Sequence, residues 1–175
     1  MYKSTAIIFI ATLALGASAT LPACADSPFG LGVGPSIMFQ SAARQIGGTD
    51  QLNINATLDL GGSKHFPLRN SLMFDYAGGS ANGGSLNDYG LGFGTRLTTP
   101  VYIGAGAFLY SVNVNQGPVF GTHTGTGFGS NIFVGEKILE VPGGAAFGVQ
   151  LTYRQIPIVN GINPGGLAAT LRVSL

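Results

Sequence analysis

The chain has 175 residues, with 8 Lys and Arg against 7 Asp and Glu, a net charge of +1, and only 9% of its residues charged. That balance leaves no electrostatic footprint for nucleic acid or an acidic partner. Beyond the N-terminal segment no run approaches the ~18 consecutive apolar residues of a spanning helix, so helical membrane spans are excluded.

The N-terminus reads as a secretory signal peptide over residues 1–25. Lys3 supplies the positive charge, Ala6 to Leu15 the apolar core, and Ala23-Cys24-Ala25 a small-x-small cleavage pattern ahead of Asp26. Cleavage after Ala25 is the favoured site, with Ala19 as the alternative. Cys24 is the single cysteine and leaves with the signal on this reading. Leu21-Pro22-Ala23-Cys24 also looks like a bacterial lipobox, which would lipidate Cys24, although Pro22 departs from that pattern. Residues 26–175 then form one domain without a disulfide framework.

The rest breaks into eight alternating segments between clusters of Gly, Pro, Asn and Ser. Segment one is Phe29 to Ala42, with Phe29, Leu31, Val33, Ile37 and Phe39 on one face. Segment two, Gln51 to Leu60, sets Leu52, Ile54, Ala56, Leu58 and Leu60 against Gln51, Asn53, Asn55, Thr57 and Asp59. Segment three, Leu68 to Gly78, sets Leu72, Phe74 and Tyr76 against Met73, Asp75 and Ala77. Segment four, Asp88 to Thr98, sets Tyr89, Leu91, Phe93 and Leu97 against Gly90, Gly92, Gly94 and Arg96. Segment five runs from Val101 to Val114, its parity blurring near Ser111. Segment six, Gly125 to Leu139, places Glu136 on its apolar face near one end. Segment seven, Ala145 to Ile156, sets Phe147, Val149, Leu151 and Tyr153 against Gly148, Gln150, Thr152 and Arg154. Segment eight, Leu167 to Leu175, alternates throughout, with Arg172 on the polar face.

Period-two alternation over lengths near the ~9–11 residues of a tilted spanning strand, in an even number of segments, predicts an all-β fold. The architecture is an eight-stranded antiparallel up-and-down transmembrane β-barrel. Connectors near Arg44–Asp50, Gly79–Asn87, Asn115–Thr124 and Pro157–Gly165 fall at the outer end. Those near Gly61–Pro67, Thr99-Pro100 and Glu140–Gly144 fall at the inner end. Three of the four outer ones are about ten residues long, the asymmetry of outer-membrane barrels.

Composition sets the facing. A soluble barrel hides its apolar face and needs ~25–35% charge outside, which this chain does not have. With the apolar face toward lipid, the small and polar residues become the interior. The expected lumen network is Asp59, Asp75, Arg96, Lys137, Arg154, Arg172 and Gln150, with Gln40, Asn53, Asn55 and Asn131 satisfying the remainder. Two carboxylates thus face four cations. Met38, Met73, Phe108, Tyr110 and Phe133 face the space left by inward glycines; any unfilled part would hold water. Phe29, Phe39, Phe66, Tyr76, Tyr89, Tyr102 and Tyr153 are the candidates for interfacial aromatic girdles.

These features resemble the small eight-stranded outer-membrane β-barrels of Gram-negative bacteria, the OmpA-type and OmpX-type transmembrane domains, over about residues 28–175. The resemblance rests on strand count, alternation and the terminal strand. It implies residence in the outer membrane after Sec-type export and contact with outer-membrane lipid and lipopolysaccharide. It also implies recognition of the C-terminal strand by the assembly machinery, and a monomer. The family's terminal strand usually ends in an aromatic residue, whereas this one ends in Leu175.

Chemistry is sparse. One family of barrel lipid A deacylases uses a His-Ser pair, but His123 and Ser130 are seven positions apart, about 23 Å along a strand. His65 beside Lys64 reads as a solvated turn residue. Two distant histidines make no metal cluster. Gly78 to Gly84 lacks the Gly-Lys-Ser/Thr ending of a phosphate loop. The sequence therefore predicts a non-catalytic envelope protein without cofactor or metal, with a structural or surface-interaction role. The alternatives are a narrow passive channel, a lipid-modifying enzyme and a soluble exported barrel.

Overall fold

The computed structural model describes residues 29–62, 67–97, 101–142 and 145–175. The expected signal peptide, Cys24, Lys64, His65 and Phe66 lie outside the described residues. The strands are β1 (Phe29–Met38), β2 (Gln51–Gly62), β3 (Leu68–Ala81), β4 (Gly84–Leu97), β5 (Val101–Asn115), β6 (Thr122–Glu140), β7 (Ala146–Gln155) and β8 (Gly166–Ser174), with one helix, α1 (Ser41–Gly47), between β1 and β2. Each strand pairs antiparallel with its chain neighbours, and β8 pairs with β1 to close the barrel. The last residue is part of that seam. Phe29 N donates to Leu175 O at 3.2 Å and Leu175 N to Phe29 O at 2.8 Å.

Alternation translates directly into facing. Leu91, Phe93, Leu109 and Leu171 are all more than half exposed on the outer wall, while Asn53, Asp75 and Arg154 are buried in the lumen. The inward glycines are matched with aromatic side chains from the next strand. Gly90 and Gly127 flank Tyr110 in register, and Gly92 and Gly129 flank Phe108. A Cβ at Gly90 would run into the Tyr110 ring. Absence of side chains on the glycine strands is thus what lets large rings lie across the wall. The rings of Phe108, Tyr110 and Phe133 occupy space that the inward glycines leave, as expected.

The outer end holds an apolar core. Met38, Leu86, Val112, Val114, Ile156, Val159 and Ile162 are buried there, with Ala42 and Ile46 of α1 packed against them. The segment after β7 dips into the mouth as a small hairpin bridged between Val159 and Ile162. Gln40 holds it, donating from Nε2 to Gly161 O at 2.9 Å and accepting at Oε1 from Asn163 N at 2.5 Å. Helix α1 is tied back to β1 by Arg44 Nη1, which donates to Met38 O at 2.9 Å and Phe39 O at 2.8 Å.

Wall height is uneven. β6 pairs with β5 from Thr122 onward but with β7 only from Ser130 onward. Continued in register, β7 would set Pro157 opposite Phe128. Proline has no N–H to give to a ladder, and the chain turns inward there.

Several expectations are corrected. Segment one ends at Met38, because Ser41–Gly47 forms a helix inside the outer connector. The expected ten-residue outer connector at Gly79–Asn87 is strand on both sides of a two-residue turn, with Asn82 at φ 52° and Gly83 at φ 77°. That turn type matches the twist of paired strands and favours Asn-Gly. The third outer connector is likewise shorter, because β6 starts at Thr122. Parity does not blur at Ser111; Val112 and Val114 continue the inward face into the apolar core. Tyr102 is not a girdle residue, since it shares the parity of Gly104 and is buried in the lumen. Glu136 keeps the expected register with the outer face, opposite Val101 and Val149, but is buried there, just ahead of the bulge that shifts β6 between Lys137 and Leu139.

Candidate functional site in the barrel lumen

The lumen carries two linked polar layers beneath the apolar core. The central layer is built around Arg154 of β7, which is wholly buried. Its Nε donates to Asp75 Oδ2 on β3 at 2.7 Å, and its Nη2 pairs with Asp88 Oδ1 on β4. Three further donors converge on Asp75: the Tyr110 hydroxyl at 2.7 Å, Asn53 Nδ2 at 3.0 Å and Asn131 Nδ2 at 3.4 Å. A charge this deep persists only when paired and hydrogen-bonded in this manner.

The inner layer has two guanidinium groups. Arg96 Nη2 pairs with Asp59 Oδ2 at 2.6 Å, and Ser71 Oγ donates to the other Asp59 oxygen at 2.6 Å. Arg172 is held by neutral oxygens instead. Its Nη1 reaches Gln150 Oε1 at 3.0 Å and Asn55 Oδ1 at 3.4 Å, and its Nη2 donates to Thr57 Oγ1. The Tyr102 ring lies 5.7 Å from Arg96 Cζ and 6.0 Å from Arg172 Cζ, within cation–π range of both. Its hydroxyl donates to Gln150 Oε1 at 3.1 Å. Asn53 joins the layers, accepting at Oδ1 from Asn55 Nδ2 at 3.3 Å.

Asp59, Asp75, Arg96, Arg154, Arg172 and Gln150 are therefore brought together in two layers. Lys137 sits half-buried at the β6 bulge, opposite Gly148. Gln40 is not in the lumen network; it lies beyond the end of β1 and pins the inward hairpin. The sequence reading missed Asp88. It has the parity of Gly90 and Arg96, and continuing that alternation one step earlier would have found it. With Asp88 counted, the two layers hold three arginines and three aspartates.

The arrangement offers no nucleophile–base pair among the described residues. His123 Nε2 lies 3.1 Å from Phe120 O, and Ser130 Oγ donates to Gln155 Oε1 at 3.3 Å. What the lumen can do is staple strands. The central layer ties β2, β3, β4, β5, β6 and β7 to one point. Because neutral groups surround Arg172 and can hydrogen-bond one another, Arg172→Met is expected to cost about 1 kcal/mol or less. Guanidinium unfolding in detergent would measure it.

A closed antiparallel meander of eight strands, apolar outside and filled with polar side chains inside, is the architecture of small transmembrane β-barrels. Neisserial surface protein A, known from its crystal structure, has the same fold: the two align with a TM-score of 0.53 over 84% of this chain and 94% of that one, at 18% sequence identity. No protein family and no curated protein matches the chain by sequence.

Proposed function

We propose that this chain is an integral protein of the bacterial outer membrane, without catalysis, whose role is structural or one of surface interaction. The observation that carries this reading is the packing of side chains in the lumen. Paired charges fill its centre, and Met38, Leu86, Val112, Val114, Ile156, Val159 and Ile162 fill its outer mouth. A conducting path would need open, hydrated volume where these side chains pack. The apolar belt is suited to lipid and lipopolysaccharide acyl chains. In the proposed setting β8 is the strand read by the assembly machinery, and the barrel is a monomer closed on itself, with β8 paired to β1.

The test has two parts. Detergent-extracted outer membranes should yield a band that migrates faster unheated than boiled, the signature of a closed barrel. Pure protein in planar bilayers should give no steady conductance. Steady conductance would replace this reading with a narrow passive channel. Recovery from the periplasm without detergent would overturn the membrane reading.

A further inference from the structure

We infer that the outer face carries a binding cleft for a neutral saccharide, an inference that rests on the surface-interaction reading above. The cleft has a volume of about 560 Å³ and opens where α1, the β3–β4 turn, the β5–β6 loop and the inward hairpin meet. That size falls within the ~300–1,000 Å³ of small-molecule sites. Its polar lining residues are Gln45, Asn82 and Gln116, one from each of α1, the β3–β4 turn and the β5–β6 loop, and Gln116 Oε1 accepts from Asn160 Nδ2 at 3.5 Å. Its apolar lining includes Ile46, Ile162 and the ring of Phe120. No lining residue is charged.

This set selects a chemistry. A side-chain amide both donates and accepts, which suits a hydroxyl that does the same. Phe120 is 69% exposed and offers a ring to the C–H face of a pyranose. The absence of charge disfavours phosphates, sulfates and uronates, which need cations for recognition. An acyl chain would bury the amides without partners, which is costly.

The frame is preformed. Asn82 Nδ2 donates to Gln45 O at 2.9 Å, joining the turn to the helix. Gln116 N donates to Gly121 O at 2.9 Å, closing the loop that presents Phe120. Fixing the walls before the ligand arrives lowers the cost of binding.

The chain has no tryptophan, so Phe120→Trp introduces a single tryptophan, excited to the red of the tyrosines, while keeping an aromatic ring. The full chain carrying this change, in phosphocholine nanodiscs free of sugar-headed detergent, is titrated with di- and trisaccharides of glucose, galactose and N-acetylglucosamine. Heat-dependent migration is checked first, and its failure counts against the barrel and not the cleft. At least one neutral sugar should give a saturable emission change with a dissociation constant of about 1 mM or tighter. Adding Gln116→Ala should weaken it about five-fold, the loss of one hydrogen bond. Adding Val119→Ala, outside the lining, should leave it unchanged. No saturable response, a response indifferent to Gln116→Ala, or an equal response to glucuronate would overturn the inference. So would a response to dodecanoate that Gln116→Ala leaves intact.

Discussion

Replacing Arg154 by leucine will destabilise the barrel by about 3–5 kcal/mol, the usual consequence of removing one partner from a buried charge cluster. The change strands Asp75 and Asp88 together, both nearly inaccessible to solvent, with the cation between them gone. Asp75 would keep its neutral donors Tyr110, Asn53 and Asn131, but Asp88 would lose its only ion pair among the described residues. Guanidinium unfolding of refolded protein in detergent, followed by heat-dependent migration, is the measurement. Combining Arg154→Leu with Asp75→Asn and Asp88→Asn should recover much of the loss, because three groups acting as one unit are not additive. A single-mutant cost below about 1 kcal/mol would show that the triad does not hold the strands.

The second large effect concerns facing. Leu171 lies within β8, 69% exposed on the outer wall, paired with Val33 of β1 and Val149 of β7. Leu171→Arg should cost about 2–4 kcal/mol, the value for arginine on a lipid face near mid-depth. It should lower the folded fraction recovered from membranes. Ser174→Arg should be milder, because Ser174 points inward at the end of the strand. Equal losses in the two variants would invert the face assignment.

The fold was legible because each strand reports its own two faces locally: Leu52 to Leu60 alternate without needing to know what lies across the barrel. Strand partners are another matter. That Arg154 meets Asp75, 79 positions earlier, depends on register summed around the closed sheet. No local pattern carries that sum. Some signals were present and unused. Asn82-Gly83 is a hairpin turn pair, and reading it as such would have extended β3 and β4 through the supposed loop. The glycines of β4 and β6 stand opposite the aromatics of β5, so Gly90 and Tyr110 were a pairing clue. Helix α1 left no trace, since seven residues are too few to show a helical period. The cleft was hidden for the same reason as the ion triad: Gln45, Asn82 and Gln116 come from three connectors and converge only once the wall is closed.

The unequal pairing of β6 fixes how the barrel sits in a bilayer. Unpaired backbone groups are not tolerated in hydrocarbon, so the one-sided stretch from Thr122 to Gly129 must stand in the aqueous or headgroup region. The waterline on that side therefore crosses near Ser130. β7, β8 and β1, each 9 or 10 residues long, match a single hydrocarbon thickness. β3 to β6, at 14 to 19 residues, rise past it. The molecule is a cup with one raised lip; Asn82, Gln116 and Phe120 are carried on that lip, and Gln45 reaches the cleft from α1 beside it.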